Sequence, residues 1–339
     1  MKKNSVSIIT AGLVLTVLLC SCTPKKDVNS FEAMNTFMTV QCYASNPVKI
    51  NKEVQERILY LEDLFSTTKE NSDIYRINHT QGQTLIVQPE TFHIIDFARA
   101  MAVKTSGALN PALYPITSAW GFTTGNYHVP AESEIQQLLT YTDYNQIVLN
   151  SQDNSIFIAD NMMLDLGAVG KGFAGDQAIA LMKSKGVKSA LLDLGGNIQT
   201  LGNKPDGSRW TIGIKNPWGG NAVAGLRISN QAVITSGGYE RYFTGDDNQD
   251  YIHIFDGTTG RPVANDVASM TIVCDSGLYG DSLSTALFVM GAKKAVEYWK
   301  ANPDFQFILI KNDGTLIYSK GLEDSINIMA NFSYVQIIE

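Results

Sequence analysis

One glycine-rich stretch carries the first candidate chemistry in this sequence. LDLGAVGKGFAGDQ spans residues 164–177, and three of its glycines fit the spacing G-x-G-x-x-G: Gly170, Gly172 and Gly175. With Asp193 following 18 residues later, this spacing is typical of a turn that binds a dinucleotide pyrophosphate. A helix predicted over 173–185 would add N-terminal amides, and with the Lys171 ammonium these suit an anion such as phosphate. The alternative is a tight strand-to-helix turn that carries a surface lysine.

A second stretch, GDSLSTALFVMG at residues 280–291, could bind a metal. Asp281 and Thr285 are four residues apart at the start of a predicted helix, so their side-chain oxygens point the same way. One carboxylate and one hydroxyl suit Mg²⁺, which keeps waters and takes further oxygens from substrate phosphates. The alternative is that Asp281 caps the helix and Thr285 bonds back to a helix carbonyl.

A third stretch, YIHIFDGTTGRP at residues 251–262, could move a proton. His253 lies on an alternating strand, and a turn containing Asp256 follows. An unperturbed imidazole accepts a proton near neutral pH, although a lone histidine on a strand is more often structural. The chain has four histidines and no Cys/His ligand spacing, which disfavours a zinc site.

The predicted elements favour an α+β fold over a doubly wound sheet. Apolar periodicity predicts helices over about 51–65 and 89–105, a shorter helix opened by Pro130, and the helices that begin near residues 173 and 281. Strands are predicted at 146–149, 155–159, 162–166, 189–194, 210–214, 232–235, 251–255, 270–274, 306–311 and 315–319. The last two strands flank NDG at 312–314 and should form a hairpin. Short turns outnumber crossover helices, so we expect mixed or mainly antiparallel sheets with packed helices.

The N-terminus resembles the signal of a bacterial lipoprotein. Two lysines precede an apolar run over about residues 6–19, which ends in LCSC. Cleavage before Cys22 would leave that thiol for lipidation, whereas an ordinary signal peptide would leave it idle. We therefore predict a signal peptide at 1–21, a polar tether at 22–30 and one domain at 31–339, with a division into two lobes left open. The protein would be exported and lipid-anchored at the extracytoplasmic face of a bacterial membrane.

Charge and cysteine content exclude several classes of protein. The formal net charge is −7, which disfavours nucleic-acid binding. With Cys20 removed and Cys22 lipidated, only Cys42 and Cys274 could pair, too few for a disulfide scaffold. Whether those two pair stays open at this point.

Taken in order, the three stretches resemble the ApbE-type FAD:protein FMN transferases. The family pattern D-x-G-x-x-x-K-G is similar to the residues from Asp165, H-I-x-D-x-x-T-G-x-P to those from His253, and D-x-x-x-T-A to those from Asp281. Five further segments agree: MNTFM from Met34, FSTTKENSDIYRIN from Phe65, SGALNPALYPITSAWGF from Ser106, LLDLGGNI from Leu191 and ITSGGYERYF from Ile234. The resemblance covers nearly all of the chain that follows the signal.

The resemblance implies an α+β fold and a site for FAD, the substrate, beside Mg²⁺. The metal ligands would be Asp281, Thr285 and the backbone carbonyl of Ala168. The FAD contacts would be Met34, Thr68, Ala108, Leu109, Asn110, Asp165, Lys171, His253 and Ile254. His253 would be the base, Asp256 the reserve base, and Lys171 a second positive group on the phosphates.

The implied reaction moves FMN from FAD to a threonine hydroxyl of an exported protein or a subunit of a redox-driven membrane complex, and releases AMP. The chain departs from the family pattern at Thr68, where an aromatic is usual, and at Leu109-Asn110, where Phe-Asp is usual. Without a ring to stack on adenine, FAD should bind more weakly, so hydrolysis of FAD to FMN and AMP is an alternative. Two others are a non-catalytic flavin-binding lipoprotein and a Rossmann oxidoreductase. A Rossmann fingerprint usually lies in the first βαβ unit of its domain, whereas this glycine pattern lies well into the chain. Its position therefore argues against the oxidoreductase.

Overall fold

The central element is a nine-stranded sheet, seen in a computed structural model that describes residues 24–339. The predicted signal peptide and Cys22 lie outside these residues. The strands in chain order are β1 Lys25–Ala33, β2 Thr36–Ala44, β3 Leu85–Ile86, β4 Val148–Asn150, β5 Ser155–Phe157, β6 Ser189–Leu194, β7 Asn197–Leu201, β8 Trp210–Ile214, β9 Ala224–Ile228, β10 Ala232–Gly237, β11 Tyr242–Thr244, β12 Asp250–Ile252, β13 Phe255–Asp256, β14 Arg261–Pro262, β15 Val267–Cys274, β16 Gln306–Lys311, β17 Thr315–Ser319, β18 Ile326–Ile328 and β19 Tyr334–Ile338. The α-helices are α1 Pro47–Phe65, α2 Asp73–Asn78, α3 Pro89–Lys104, α4 Tyr114–Ala119, α5 Glu132–Leu139, α6 Gly170–Ser184 and α7 Gly277–Ala301, the last with a break at Gly291.

The central sheet confirms the expected mixed, mainly antiparallel architecture. Its order is β1-β2-β6-β7-β10-β15-β16-β17-β19, and only the β17–β19 pair is parallel. The predicted NDG hairpin joins β16 to β17, with Gly314 at a φ of 80°. Smaller antiparallel sheets are β3-β5-β4, β8-β9-β18, β11-β12 and β13-β14.

Side chains alternate between the two faces of the central sheet. On β10, Ile234 is buried beside Gly280 of α7, and Val233 points into a second core under β8 and β9. Strand β15 repeats this pattern with Ile272 and Val273. This period of two is what a sheet covered on both faces requires. A third apolar cluster, around Trp120, packs α4 and α5 against β13.

Several sequence-based boundaries differ from the structure, and helix α6 begins at Gly170 rather than at residue 173. Residues 25–30 of the predicted tether belong to β1, whose polar, exposed side chains concealed an edge strand paired along its length with β2. Residues 162–166 are extended but pair with no strand, because side-chain and loop contacts hold them instead. Helix α7 begins at Gly277 rather than at Asp281, since Ser276 caps it. The signal peptide at 1–21 and the single domain that ends at 339 stay predictions.

The two cysteines within the described residues do not pair. Cys42 and Cys274 are both free and buried, on β2 and β15. Three strands lie between β2 and β15, and at about 4.8 Å per strand the two are roughly 19 Å apart. Burial raises the pKa of Cys42 to about 11 and that of Cys274 to about 12, so both thiols stay protonated and unreactive at neutral pH. Among residues 24–339, no helix combines the length and apolarity needed to cross a membrane.

Candidate active site

Helices α6 and α7 cap each other, and this contact brings the two main motifs together. The Asp281 carboxylate on α7 accepts a 2.8 Å hydrogen bond from the Gly172 amide in the first turn of α6. In return, the Asp176 carboxylate on α6 accepts from the N-terminus of α7, where its donors are Ser276 Oγ (2.8 Å), the Gly277 amide (2.6 Å) and the Leu278 amide (3.0 Å). Each carboxylate satisfies amides that a helix start leaves without partners.

The glycine spacing reflects this helix contact. A Cβ on Gly172 would overlap the Gly277 carbonyl oxygen and lie 2.7 Å from the Asp281 Cβ. A Cβ on Gly175 would overlap the Gln199 side chain, which donates to the Gly172 carbonyl at 3.2 Å. A Cβ on Gly170 would meet nothing within 4 Å. The Rossmann interpretation is therefore wrong, and the Gly172 amide in the first turn of α6 is occupied by Asp281.

Two of the residues predicted to bind Mg²⁺, Asp281 and Thr285, lie one turn apart on α7. In a regular helix the Gly172 amide would donate to the Ala168 carbonyl; here it donates to Asp281, and no other backbone amide in the described residues donates to that carbonyl. One turn along α7 from Asp281, the Thr285 hydroxyl lies 3.4 Å from Ser236 Oγ. The Asp281 carboxylate and the Thr285 hydroxyl thus lie on one face of α7, and Asp281 bonds the amide four residues after Ala168. Oxygen ligands of this kind suit Mg²⁺, and no cluster of three or more His, Cys, Asp or Glu occurs in residues 24–339.

The Asp281 carboxylate is buried with too little positive charge to balance it. Its side chain is 4% exposed, and burial raises its pKa. Lys171, the Gly172 amide and the neighbouring Asn197 side chain act in the opposite direction, whereas Asp176 raises the pKa further. A buried acid of this kind is stabilised by a bound cation. Asp281 is not the N-cap of α7, because Ser276 takes that place, so the helix-cap alternative at the start of α7 is wrong.

The segment that carries Asp165 is held by the Asn78 side chain, which bonds its backbone as a neighbouring strand would. Asn78 bonds both backbone groups of Leu164: its Nδ2 donates to the carbonyl at 2.9 Å, and its Oδ1 accepts from the amide at 2.6 Å. The Asp165 amide donates to the Pro111 carbonyl at 2.8 Å. Burial raises the pKa of the Asp165 carboxyl, which the Gly167 amide, Lys171 and Arg241 partly oppose. These contacts explain why residues 162–166 are extended without belonging to a sheet.

His253 lies in a break between strands rather than within one. Its amide donates to the Arg241 carbonyl at 3.1 Å, and its Nδ1 lies 3.0 Å from the same oxygen. A carbonyl only accepts, so Nδ1 carries the proton and Nε2 is left as the acceptor. Burial, with smaller effects of Lys171 and Arg241, lowers the His253 pKa to about 4. The imidazole is therefore neutral at pH 7 and able to accept a proton at Nε2.

Lys171 connects the separate motifs. Its positive charge lowers the pKa of Asp165, of Asp281 and of His253, so its ammonium lies within electrostatic reach of all three. Lys171 is half-buried and forms no ion pair within the described part of the chain. A half-buried ammonium without a fixed partner suits an anionic ligand.

The other predicted FAD contacts lie on three loops. Met34 is at the tip of the β1–β2 turn, where both it and Asn35 have positive φ. Ala108 and Asn110 lie on a loop whose Pro111 carbonyl accepts from the Asp165 amide. The side-chain amide of Asn110 lies close to Gly257. Thr68 is exposed, and its amide donates to Ser66 Oγ.

Two predicted contact residues point away from the loops, and one predicted base has another role. Leu109 and Ile254 are only 2% and 7% exposed, so neither side chain is available to a ligand. The Asp256 carboxylate accepts from the Thr258 amide at 2.8 Å and the Thr258 hydroxyl at 2.6 Å. It therefore shapes the turn after His253, which makes it a poorer base than Nε2 of His253.

Four residues that position the site were not assigned roles from sequence: Asn78, Asp176, Ser236 and Arg241. Arg241 supplies the carbonyl that fixes the His253 tautomer, and its guanidinium lies over the Phe122 ring, 5.6 Å from the centroid. Asn78 and Arg241 fall within segments of the family pattern, but their partners are 86 and 12 residues away. No local spacing reveals such contacts.

Comparisons with known proteins identify the family of this chain. The ApbE family model matches residues 34–309. The FAD:protein FMN transferase of Klebsiella pneumoniae (strain 342) is 32% identical over 279 residues, covering 81% of this chain and 86% of the relative. The enzyme of the same name from Treponema pallidum (strain Nichols) is 29% identical over 344 residues, covering 93% and 95%. The crystal structure of the ApbE protein from Thermotoga maritima superposes with a TM-score of 0.84 at 29% identity, over 89% of this chain and 99% of that one. The chain belongs to the ApbE family.

Proposed function

We propose that this protein transfers FMN from FAD to a threonine hydroxyl of an exported or membrane protein, with Mg²⁺, and releases AMP. The observation that carries the proposal is that the Lys171 ammonium lies within electrostatic reach of two buried carboxyl groups and of a neutral histidine. Lys171 acts electrostatically on Asp165, Asp281 and His253, which come from three separate motifs. Relatives of this protein in Klebsiella pneumoniae and Treponema pallidum are named FAD:protein FMN transferases.

The proposed reaction breaks the phosphoanhydride bond of FAD and forms a phosphate ester with the threonine. The threonine oxygen bonds to the phosphorus of the FMN half, while the P–O bond to AMP breaks and AMP leaves with the bridging oxygen. His253 Nε2 takes the proton of the attacking hydroxyl. Bound Mg²⁺, held by Asp281, Thr285 and the Ala168 carbonyl, would offset the negative charge that develops on the phosphate oxygens. Lys171 places a second positive charge on the same oxygens.

The low pKa of His253 fits this order of events. With its pKa at about 4, the imidazole is neutral before FAD binds and is a weak base. The negative pyrophosphate beside it would raise its pKa in the complex, since an opposite charge favours the protonated form. The base would thus become stronger once the substrate is in place.

Hydrolysis of FAD by the same site is the second candidate. Thr68 is exposed and supplies no aromatic ring for adenine, so water could replace the acceptor in a looser complex. Incubation of the protein with FAD and Mg²⁺ and no acceptor separates the two activities. AMP release without acceptor supports hydrolysis, and AMP release only with an acceptor supports transfer. Absence of AMP under both conditions would support the non-catalytic alternative.

We also propose that the protein is exported and lipidated at Cys22, as its N-terminal LCSC sequence indicates. Mass spectrometry of the N-terminal peptide from the membrane fraction tests this. A peptide that begins at an acylated Cys22 is expected, and one that begins elsewhere without lipid would contradict it.

A further inference from the structure

The end of the central sheet opposite the site carries exposed positive charge. Lys25 and Lys26 begin β1, and Lys26 pairs across the sheet with Tyr43 of β2. Tyr43 in turn pairs with Ser189 at the start of β6, so the exposed Lys188 lies at this same end. The site lies at the other end, where the β1–β2 turn places Met34 and the neighbouring turn abuts Thr36.

The small β8-β9-β18 sheet lies beside this end of the central sheet and carries further cations. A groove of about 440 Å³ is lined by Lys204, Ser208, Arg209, Thr211 and Arg227. Trp210 joins it to the end of the central sheet: its ring lies 6.4 Å from that of Tyr43, and its Nε1 donates to the Gly202 carbonyl. Gly202 packs directly against the Lys188 carbonyl, with no room for a Cβ.

These six residues form what we call the basic face: Lys25, Lys26, Lys188, Lys204, Arg209 and Arg227. None of the six takes part in the twelve ion pairs within residues 24–339. Two acids lie next to the groove: the Asp206 carboxylate accepts from the Ser208 amide and hydroxyl, and the Asp324 backbone carbonyl accepts from Arg227.

We propose that the basic face rests on the anionic phospholipid headgroups of the membrane that holds the protein. The occupant follows from where the chain leaves this surface: Cys22 precedes Lys25 by only three residues. A lipid on Cys22 would bring the basic face to the bilayer, and lysine and arginine side chains are attracted to its negative surface within a Debye length. The inference rests on lipidation at Cys22 and not on the transfer reaction.

This orientation sets the height of the site above the membrane. Strand β1 runs from Lys25 to Ala33, and eight steps of about 3.4 Å span roughly 27 Å. Met34, at the far end of that strand, would then face away from the bilayer. The acceptor threonine would have to reach the site at about this distance from the headgroups, which favours acceptors with a soluble domain or loop of that reach.

The test measures how the lipidated, full-length protein is oriented on vesicles. A donor dye is attached through Asn203→Cys, near the groove, or through Glu32→Cys, near the β1–β2 turn; the native Cys42 and Cys274 are buried and have raised pKa values. Acceptor dye is carried by the lipid in vesicles of phosphatidylcholine alone or with phosphatidylglycerol. With phosphatidylglycerol, we expect energy transfer to rise for the groove label and to fall for the turn label.

Charge reversal provides the matched comparison. Arg209→Glu with Arg227→Glu should abolish the dependence on phosphatidylglycerol, whereas Lys293→Glu with Lys294→Glu, at exposed positions on α7, makes the same charge change and should preserve it. Raising the salt from about 0.1 to 1 M shortens the screening length from about 10 to 3 Å and should also remove the effect. Equal energy transfer from both labels on both kinds of vesicle would overturn the proposal. So would a change seen only after an acidic protein is added, which would indicate a protein partner.

Discussion

Replacing Asp281 by asparagine should separate the two roles of this side chain. The asparagine Oδ1 can still accept the hydrogen bond from the Gly172 amide, so the start of α6 keeps its cap. The negative charge is lost, and with it the strongest ligand of the proposed metal position. Asp281→Asn should therefore spare the fold and remove the response to Mg²⁺.

The expected size of each effect follows from the burial of the carboxyl group. Burial raises the Asp281 pKa above its unfolded value, so without metal its ionised form destabilises the fold as pH rises above that unfolded value. Removing the charge offsets the weaker hydrogen bond, and we expect the free energy of unfolding to change by less than about 1 kcal/mol. Metal at 100 times its dissociation constant stabilises the wild type by about 2.7 kcal/mol, or roughly 5 °C or more in Tm. The variant should gain almost nothing.

The assay is thermal unfolding with FAD alone and with FAD and Mg²⁺, alongside FMN transfer. Asp176→Asn is the matched control, because Asp176 caps α7 with three hydrogen bonds but is not a proposed ligand. It should lower stability by about 2–4 kcal/mol and keep the Mg²⁺-dependent rise in Tm. An Asp281→Asn protein that retains that rise and transfers FMN at the wild-type rate would refute the assignment of the metal position.

Three further predictions concern the residues around this position. His253→Gln should slow transfer about 10²–10⁴-fold. Because the His253 pKa is lowered to about 4, the wild-type kcat/KM should fall only as the pH approaches that value. A fall in kcat/KM between pH 7 and 6 at saturating Mg²⁺ would contradict this. Gly172→Ala should destabilise the protein by about 1–3 kcal/mol, since its Cβ would overlap the Gly277 carbonyl, whereas Gly170→Ala, with open space around it, should be neutral or stabilising in urea unfolding. Asn78→Ala leaves the Leu164 amide and carbonyl without partners, so it should cost about 2–4 kcal/mol and raise the KM for FAD; an unchanged KM would show that the Asp165 segment does not depend on this clamp.

The sequence predicts elements whose signals are local. The helices near 51–65 and 89–105 follow from apolar periodicity, and the final hairpin follows from NDG, because Gly314 adopts the positive φ that its turn needs. Strand β1 was missed because most of its side chains are exposed and polar, as suits the edge of a sheet. Residues 162–166 were wrongly assigned to a strand, because their backbone partners include a side chain 86 residues away.

The candidate site was predictable as a set of residues but not as an arrangement. The order of motifs identified Lys171, His253 and Asp281. The bond between Asp281 and Gly172 joins residues 109 positions apart, and it reassigns the glycines from a dinucleotide turn to a close contact of two helices. A glycine that permits close packing and one that permits a tight turn look the same in sequence, since both only require the absence of a Cβ.

The most direct test of the central claim is mass spectrometry of an exported acceptor protein incubated with FAD, Mg²⁺ and this enzyme. We expect one threonine of the acceptor to gain the mass of FMN less one water, with one AMP released for each modified chain. The Asp281→Asn variant should give neither product. Release of AMP and FMN with an unmodified acceptor would contradict the transfer reaction and assign the site to FAD hydrolysis instead.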